Sequence, residues 1–185
     1  MSPPQPLTDP RSDGELVAAL NAGEAAAFDA LYFRYRDCVA RLALRFTGNH
    51  ADAMDVVQET FAYLYRKFPG FRLTSSMTTF LYPAVRNLSL ELQRKRWRET
   101  SSDQSLIDLP APRTNISDER GELAAVIRSL PPVQREVVLL RFVDDLTVDE
   151  IAAALDVPAG TVKSRLHHAI RALQQDPRAQ TYFRS

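Results

Sequence analysis

The chain has few of the residues on which thiol, metal or phosphate chemistry depends. Its 185 residues include one cysteine, Cys38, with three histidines and six glycines. A single thiol cannot form an internal disulfide and argues against a cysteine-based metal site. The glycines form no phosphate-binding loop, and neither a Cys/His nucleophile arrangement nor clustered metal ligands are present. A hydrolase or nuclease therefore has no support, and we predict no enzyme activity, cofactor, metal or small-molecule substrate.

Long apolar runs and a targeting segment are also missing. No apolar stretch approaches the roughly 20 residues that span a bilayer. Residues 1–16 contain prolines and acids but neither the cationic nor the apolar region of a signal peptide. The hydrophobic content of 45% and the charged content of 25% are ordinary for a folded chain. We therefore expect a soluble, cytoplasmic protein with no membrane insertion.

An excess of charge of either sign is absent as well, because 23 Lys and Arg residues balance 23 Asp and Glu residues. The distribution is nevertheless uneven. Residues 1–100 carry 13 basic and 11 acidic side chains, residues 101–122 carry two and five, and residues 123–185 carry eight and seven. Two slightly basic blocks therefore flank an acidic connector. Arg94–Arg98 has four cations in five residues, and Val157–Gln175 contains no carboxylate.

Apolar residues recur at three- and four-residue steps through most of the chain, which predicts helices. The periodicity is lost over residues 99–120, which are rich in Ser, Asp, Pro and Thr and lack aromatic residues. We predict an all-α protein with two small helical domains joined by a flexible acidic linker. The predicted segments are an N-terminal tail and lead-in (1–23), a helical domain (24–98), the linker (99–120), a helix-turn-helix domain (121–176) and a C-terminal tail (177–185).

In the first domain, one predicted helix has an acidic outer face. Asn49 and Asp52 suit its N-terminus. Its expected apolar stripe is Met54, Val57, Phe61, Leu64 and Phe68. On the opposite side Asp55 and Glu59 lie four residues apart, with Gln58 beside them. Like charges at this spacing mildly destabilise a helix. The face is therefore either plain solvated surface or a docking surface for a basic partner.

The second domain contains a predicted helix-turn-helix. Thr147 and Glu150 fit a capping box, and Asp156 suits the turn because it tolerates the left-handed conformation. The next helix has a core side comprising Val162, Leu166, Ala169, Ile170 and Leu173. Its opposite side comprises Ser164, His168 and Arg171, with Lys163 and Arg165 on the shoulders. Such a face suits the major groove of DNA, although an ordinary solvated face is the alternative.

Histidine could also indicate a metal site, because His167 and His168 are adjacent. Neighbouring positions on a helix point about 100° apart, so these two side chains do not readily share one ion without further ligands. We therefore predict no metal here.

Two sets of motifs resemble a known family. The first comprises Asp55, Gln58, Glu59, Phe61, Phe80, Leu81, Tyr82, Ala84, Arg86, Asn87 and Leu88, followed by the basic run 94–98. The second comprises Leu130, Pro131, Arg135, Val137, Leu140, Arg141, Ile151, Ala152, Leu155 and Gly160–Arg165. They resemble regions 2 and 4 of bacterial sigma factors, over about residues 24–98 and 123–175. With no other sigma region between them, the chain resembles the extracytoplasmic-function (ECF) group of the sigma-70 family.

The resemblance implies a factor that directs RNA polymerase to promoters. It implies polymerase-binding residues Asp55, Gln58 and Glu59, residues Arg86, Asn87, Arg94, Lys95, Arg96 and Arg98 at the −10 element, and residues Lys163, Ser164, Arg165, His168 and Arg171 at the −35 element. The implied partners are promoter DNA and core RNA polymerase, through the β′ clamp helices and the β flap. Members of the group are commonly held inactive by an anti-sigma factor. The linker is then expected to enter the polymerase channels, or to act as a plain tether.

Three residues depart from the family pattern. Phe80 replaces a frequent Trp, an exchange that preserves an aromatic side chain. Pro83 lies inside a predicted helix, so we expect a kink or a restart there, which affects the placement of Arg86 and Asn87. His168 replaces a larger cation, which predicts weaker or pH-sensitive −35 contact.

Trp97, in the basic run, either stacks on a base or anchors packing.

The alternative function is a stand-alone helix-turn-helix transcriptional regulator. Such proteins usually dimerise to bind paired half-sites. In that case the acidic face over residues 55–59 has no role.

Overall fold

In a computed structural model, residues 9–100 and 121–179 are described, and within these ranges the chain forms eight helices and no strand. The helices are α1 (Asp13–Asn21), α2 (Ala26–Thr47), α3 (His50–Tyr65), α4 (Met77–Thr100), α5 (Gly121–Ser129), α6 (Pro132–Phe142), α7 (Val148–Leu155) and α8 (Ala159–Gln175). Helices α1–α4 belong to one compact unit and α5–α8 to a second. The predicted all-α class with two helical domains is confirmed.

Residues 1–23, predicted as an N-terminal tail and lead-in, contain a helix in the part that the structure describes. Residues 13–21 form α1, and its apolar side chains Leu16, Val17 and Leu20 are buried. A capping box starts the helix: the Ser12 hydroxyl accepts from the Glu15 amide, and the Glu15 carboxylate accepts from the Ser12 amide (2.7 Å). Helix α1 packs against α2, so its apolar face belongs to the core of the first unit.

Ionic contacts also fix the chain before α1 to the first unit. Arg11 pairs with Asp9 (2.8 Å) and with Glu24 (3.0 Å), and hydrogen bonding from Arg11 lowers the pKa of Asp9 to about 2. Arg34 on α2 pairs with Asp13 (2.7 Å), and the Tyr35 hydroxyl donates to the same carboxylate. Burial, together with this acceptor, raises the pKa of Tyr35. Arg34 also donates to the carbonyls of Asp9 (2.7 Å) and Arg11 (2.8 Å), so the segment preceding α1 is attached to this position of α2.

Helices α2, α3 and α4 pack against one another and form most of the core of the first unit. The predicted stripe of α3 is buried at Val57, Phe61 and Leu64, whereas Met54 and Phe68 are only half-buried. Helix α3 ends at Tyr65, before Phe68. The predicted stripe therefore extends three residues too far, because Phe68 lies beyond the end of the helix.

Helix α4 runs without interruption from Met77 to Thr100, with Pro83 inside it. The expected restart at Pro83 does not occur, although proline supplies no amide for a helical hydrogen bond. Neighbours on both sides of Pro83 are buried: Tyr82 and Val85 are each no more than 1% exposed. Packing in the core therefore supports the helix through this position.

The second unit is built around α6, which packs on α7 and α8. Four consecutive residues, Val137–Leu140, are buried, so α6 is covered on all sides at its middle. Pro132 occupies its first turn, a position that proline favours. Val133 is 47% exposed, because it lies in the first turn of α6, before the fully covered middle.

The structure differs slightly from the predicted boundaries of the linker and the C-terminal tail. Helix α4 extends to Thr100, two residues into the predicted linker, and residues 101–120 lie outside the described ranges. At the other end, Ala179 is fully buried and its amide donates to the carbonyl of Asp176 (2.9 Å). Ala179 in the predicted C-terminal tail is therefore packed, whereas Pro177 and Arg178 are exposed. Within the described ranges, no helix has the length and apolarity needed to cross a membrane.

Candidate protein and nucleic-acid interfaces

The acidic face of α3 is exposed to solvent. Asn49 caps the helix as predicted, because its side-chain oxygen accepts from the Asp52 amide (2.9 Å). Beyond the first turn, Asp55, Gln58 and Glu59 are all exposed. The Glu59 side chain is 62% exposed and forms a long ion pair with Arg66 (3.8 Å). The two carboxylates are therefore accessible to another macromolecule.

A groove between α3 and α4 lies next to this acidic face. It has a volume of about 230 Å³ and is lined by Asp55, Val56, Glu59, Leu88, Glu91, Leu92 and Lys95. Its apolar part comes from one buried valine on α3 and two half-buried leucines on α4. Three carboxylates against one ammonium make the rim acidic. Glu91 and Leu92 were not predicted as part of a binding surface, although their three- and four-residue spacing from Leu88 places all three on one side of a helix.

The side chains of the basic run of α4 point to different sides of the helix. Taking Asn87 as reference, Arg94 and Arg98 lie within about 20° of it on either side, at 100° per residue. All three side chains are exposed. They therefore form one polar stripe along α4, and Asn87 and Arg98 are about 16 Å apart along the helix axis. We call these three residues the α4 stripe.

The other members of the run point elsewhere. Lys95 lines the groove beside the acids of α3. Arg96 lies about 180° from Asn87 and forms an ion pair with Asp52 on α3. Trp97 is 55% exposed, which disfavours the packing role considered for it. Arg86 is half-buried and about 100° from Asn87. The structure therefore does not bring the six predicted −10 residues onto one surface.

Aromatic contacts and a side-chain amide order the segment that leads into α4. Phe80, the residue that replaces a frequent Trp, stacks on Tyr63 at a centroid distance of 6.0 Å and contacts Phe71 at 4.7 Å. Asn21, the last residue of α1, donates to the Phe71 carbonyl (2.8 Å) and accepts from the Gly70 amide (2.6 Å). The α3–α4 connection is therefore fixed both to α1 and to the first turns of α4.

The second unit contains the predicted helix-turn-helix. Thr147 and Glu150 form the capping box of α7: the Thr147 hydroxyl accepts from the Glu150 amide (3.3 Å) and the carboxylate accepts from the Thr147 amide (2.8 Å). Asp156 ends α7 in the left-handed conformation, with φ 52° and ψ 51°. Helix α8 then begins at Ala159 and packs on α6 and α7.

The outer face of α8 carries polar and basic side chains. Lys163, Ser164, His168 and Arg171 are exposed, and Arg165 is half-buried at the edge of the face. The core side is buried at Val162, Leu166, Ala169 and Leu173, whereas Ile170 is half-buried. His167, considered only as a metal ligand from the sequence, is exposed between Lys163 and Arg171, and its ring is 5.7 Å from that of His168. The exposed residues cover about 140° of arc, which suits insertion into a groove of DNA.

The capping box of α7 gives a stability prediction. Thr147→Ala is expected to lower the free energy of unfolding of the second unit by about 1 kcal/mol, because one helix amide loses its acceptor. Thr147→Ser keeps the hydroxyl and is expected to stay close to wild type. Urea unfolding followed by circular dichroism measures both. Equal destabilisation by alanine and serine would mean that the methyl group, not the cap, stabilises this turn.

Family models match both units. A model described as "Sigma-70 region 2" matches residues 31–99, and one described as "Sigma-70, region 4" matches residues 120–173. The chain is 33% identical over 182 residues to the "ECF RNA polymerase sigma-E factor" of Escherichia coli, covering 90% of this chain and 95% of that protein. It is 31% identical over 178 residues to the "ECF RNA polymerase sigma factor SigE" of Mycolicibacterium smegmatis, covering 92% and 69% respectively.

Solved structures show similar folds. The sigma factor RpoE of Bartonella quintana, in complex with the anti-sigma factor NepR, matches with a TM-score of 0.59 at 25% identity, covering 80% of this chain and 94% of that one. CnrH, in complex with the cytosolic domain of CnrY, matches with a TM-score of 0.64 at 24% identity, covering 94% and 99%. The second similarity concerns the fold alone.

Proposed function

Since this chain belongs to the ECF group of the sigma-70 family, we propose that it binds core RNA polymerase, recognises the −10 and −35 elements of a promoter, melts promoter DNA and directs the start of transcription. It does this in the cytoplasm and without catalysing a reaction itself. The proposed domains are residues 9–100 for polymerase and the −10 element, and residues 121–179 for the −35 element, with the intervening segment as a connector.

The exposed face of α8 carries this proposal. No Asp or Glu occurs in α8, and the exposed residues Lys163, Ser164 and Arg171 include two cations. Short polar groups can approach base edges while cations neutralise phosphates on both sides. We propose the −35 element as the target, with His167 and His168 within the contacting face and Arg165 at its edge.

For the −10 element we propose contact through the α4 stripe. Asn87 offers a paired donor and acceptor to a base edge, and Arg94 and Arg98 neutralise phosphates along the same line. Its length of about 16 Å corresponds to only a few nucleotides of an extended strand. Arg86 flanks the stripe. Lys95 is assigned to the groove instead, because it lies beside the acids of α3.

We propose the acidic face of α3 and the adjoining groove as the docking site for core polymerase. The exposed carboxylates of Asp55 and Glu59 are complementary to a basic partner surface, and the groove has room for an apolar side chain of the partner. The β′ clamp helices are the proposed partner, with Gln58 contributing hydrogen bonds. In the second unit, the exposed side chains Phe142 and Val143 offer an apolar contact for the β flap.

An anti-sigma factor is a further proposed partner. The related sigma factor of Bartonella quintana was solved in complex with such a protein. We propose that the anti-sigma factor and core polymerase bind overlapping surfaces of this chain, so that the two partners exclude each other.

In vitro run-off transcription tests the proposed function most directly. Core polymerase with the purified chain is expected to start transcripts on genomic fragments, and core polymerase alone is not. The alternative of a dimeric regulator is not favoured, because the family members are sigma factors and the acidic groove would then have no partner. A homodimer that binds palindromic duplex unaided in gel filtration would reverse this conclusion.

Salt dependence tests the contacts of α8. The slope of log affinity against log salt is expected to fall by about 0.9 for each phosphate that the protein no longer neutralises, so Lys163→Gln and Arg171→Gln should each reduce it by about that amount. Holoenzyme binding to a −35 duplex gives the measurement. Arg178→Gln is the matched control, since Arg178 follows α8 and pairs with Asp176 (2.7 Å). Equal slopes in all variants would remove the phosphate contacts from the proposal.

A further inference from the structure

The C-terminal half of α4 is attached to the rest of the first unit at two points. Gln93 donates from its side-chain amide to the Phe46 carbonyl, near the end of α2. One turn later, Arg96 forms its ion pair with Asp52, in the first turn of α3. The two contacts join this half of α4 to both helices that it packs against. The basic run therefore has a defined direction relative to α3.

Asp52, the carboxylate of this ion pair, is buried at 4% exposure. One of its oxygens accepts from the Asn49 side-chain amide (2.7 Å), and the other pairs with Arg96. Taking an ionised carboxylate out of water is costly unless a counter-charge and hydrogen bonds compensate it. The Arg96 guanidinium supplies that counter-charge, while the Arg96 side chain as a whole remains 53% exposed.

The direction of Arg96 separates it from its basic neighbours. It lies about 180° around α4 from Asn87, whereas Arg94 and Arg98 lie within about 20° of Asn87. A nucleic-acid strand that follows the α4 stripe therefore runs along the opposite side of the helix from Arg96. Counting cations in Arg94–Arg98 overestimates the charge available to one strand.

We propose that the Arg96–Asp52 pair positions the α4 stripe on the promoter, and that Arg96 is a positioning residue which does not itself contact DNA phosphate. The proposal rests on the proposed function, in which the α4 stripe contacts the opened −10 strand. Asp52 precedes Asp55 by one turn on α3, so the pair also ties the stripe to the helix that carries the docking face.

The test uses holoenzyme containing the full chain and a forked promoter with a single-stranded −10 segment. The variants are Arg96→Gln, Asp52→Asn and the two combined, with Arg94→Gln and Arg98→Gln as controls that remove proposed phosphate contacts. Affinity for the fork is measured across a range of salt concentrations. Affinity for core polymerase is measured separately, and circular dichroism verifies folding.

Each pair variant is expected to weaken fork binding by about tenfold while leaving polymerase affinity and the salt slope unchanged. The combined variant should bind no more weakly than either single variant, because both remove the same interaction. Arg94→Gln and Arg98→Gln should each lower the slope by about 0.7. Two results overturn the proposal: a slope loss in Arg96→Gln equal to that of the controls, or additive effects of the two substitutions.

Hydrogen exchange separates failure of this inference from failure of the proposed function. If the controls leave the slope unchanged, the −10 assignment of the stripe fails. The positioning role of the Arg96–Asp52 pair is then tested by the hydrogen-exchange rates of the backbone amides of Gln93–Arg98. Faster exchange in Arg96→Gln and in Asp52→Asn, with no further increase in the combined variant, supports the positioning role. Wild-type exchange rates in these variants overturn it.

Discussion

Asp55→Arg combined with Glu59→Arg is expected to weaken binding of core polymerase by about 100-fold or more. Both carboxylates are exposed and line the groove that also contains Glu91 and Lys95. The substitutions reverse the sign of most of the rim, so a basic partner meets repulsion where it met attraction. Loss of close charge pairs at an interface costs about 2–5 kcal/mol, and each 1.4 kcal/mol is a factor of ten.

Fluorescence anisotropy of the labelled chain titrated with core polymerase measures this effect. The matched control is Asp29→Arg with Asp37→Arg, which changes the net charge equally on α2 and affects two exposed side chains outside the groove. The control should bind polymerase like wild type, and circular dichroism should show that both variants are folded. Unchanged polymerase affinity in the Asp55/Glu59 variant would contradict the docking assignment.

Leu16→Ala is expected to destabilise the first unit by about 2–5 kcal/mol. Its side chain is fully buried on the core face of α1, and truncation of such a leucine removes apolar burial and leaves a cavity. Gly14→Ala, in the same helix, should have the opposite sign. No atom lies within 4 Å of the position of an added Cβ at Gly14, and alanine favours helix by about 1 kcal/mol.

Chemical denaturation of the full chain, with a probe in each unit, measures both changes. The pair of substitutions discriminates between a packed helix and a loose tail, because neither would matter in a tail. The second unit supplies a matched comparison: Val143→Ala, at an exposed position, should change stability by less than about 0.5 kcal/mol. A wild-type midpoint for Leu16→Ala would show that α1 does not contribute to the cooperative core.

The helix-turn-helix could be predicted from the sequence in detail because its determinants are local. The Thr147–Glu150 box and the left-handed Asp156 each depend on residues within one turn, and both occur as predicted. The face of α8 follows from helical periodicity in the same way. His167 was missed because its adjacency to His168 suggested metal binding. A helical projection from Lys163 to Arg171 would have placed it on the exposed face.

Long-range contacts could not be predicted in this way. The pairing of Arg96 with Asp52 spans 44 positions along the chain, so no local pattern indicates that one of four neighbouring cations is engaged. The groove likewise requires two helices to meet. Helix α1 was not predicted, although its Ser12–Glu15 capping box is local and visible in the sequence.

The hydrogen bonds of Asn21 bear on how the first unit can be divided experimentally. A fragment that started at residue 24, the predicted domain boundary, would lack Asn21. Its side-chain amide hydrogen-bonds to the backbone of Gly70 and Phe71. The apolar face of α2 that packs against α1 would be exposed. The α3–α4 connection, which leads to the α4 stripe, would lose its hydrogen bonds to α1. If such a fragment opened promoters poorly, the cause would be the loss of the Asn21 hydrogen bonds. Every residue assigned to DNA contact would still be present.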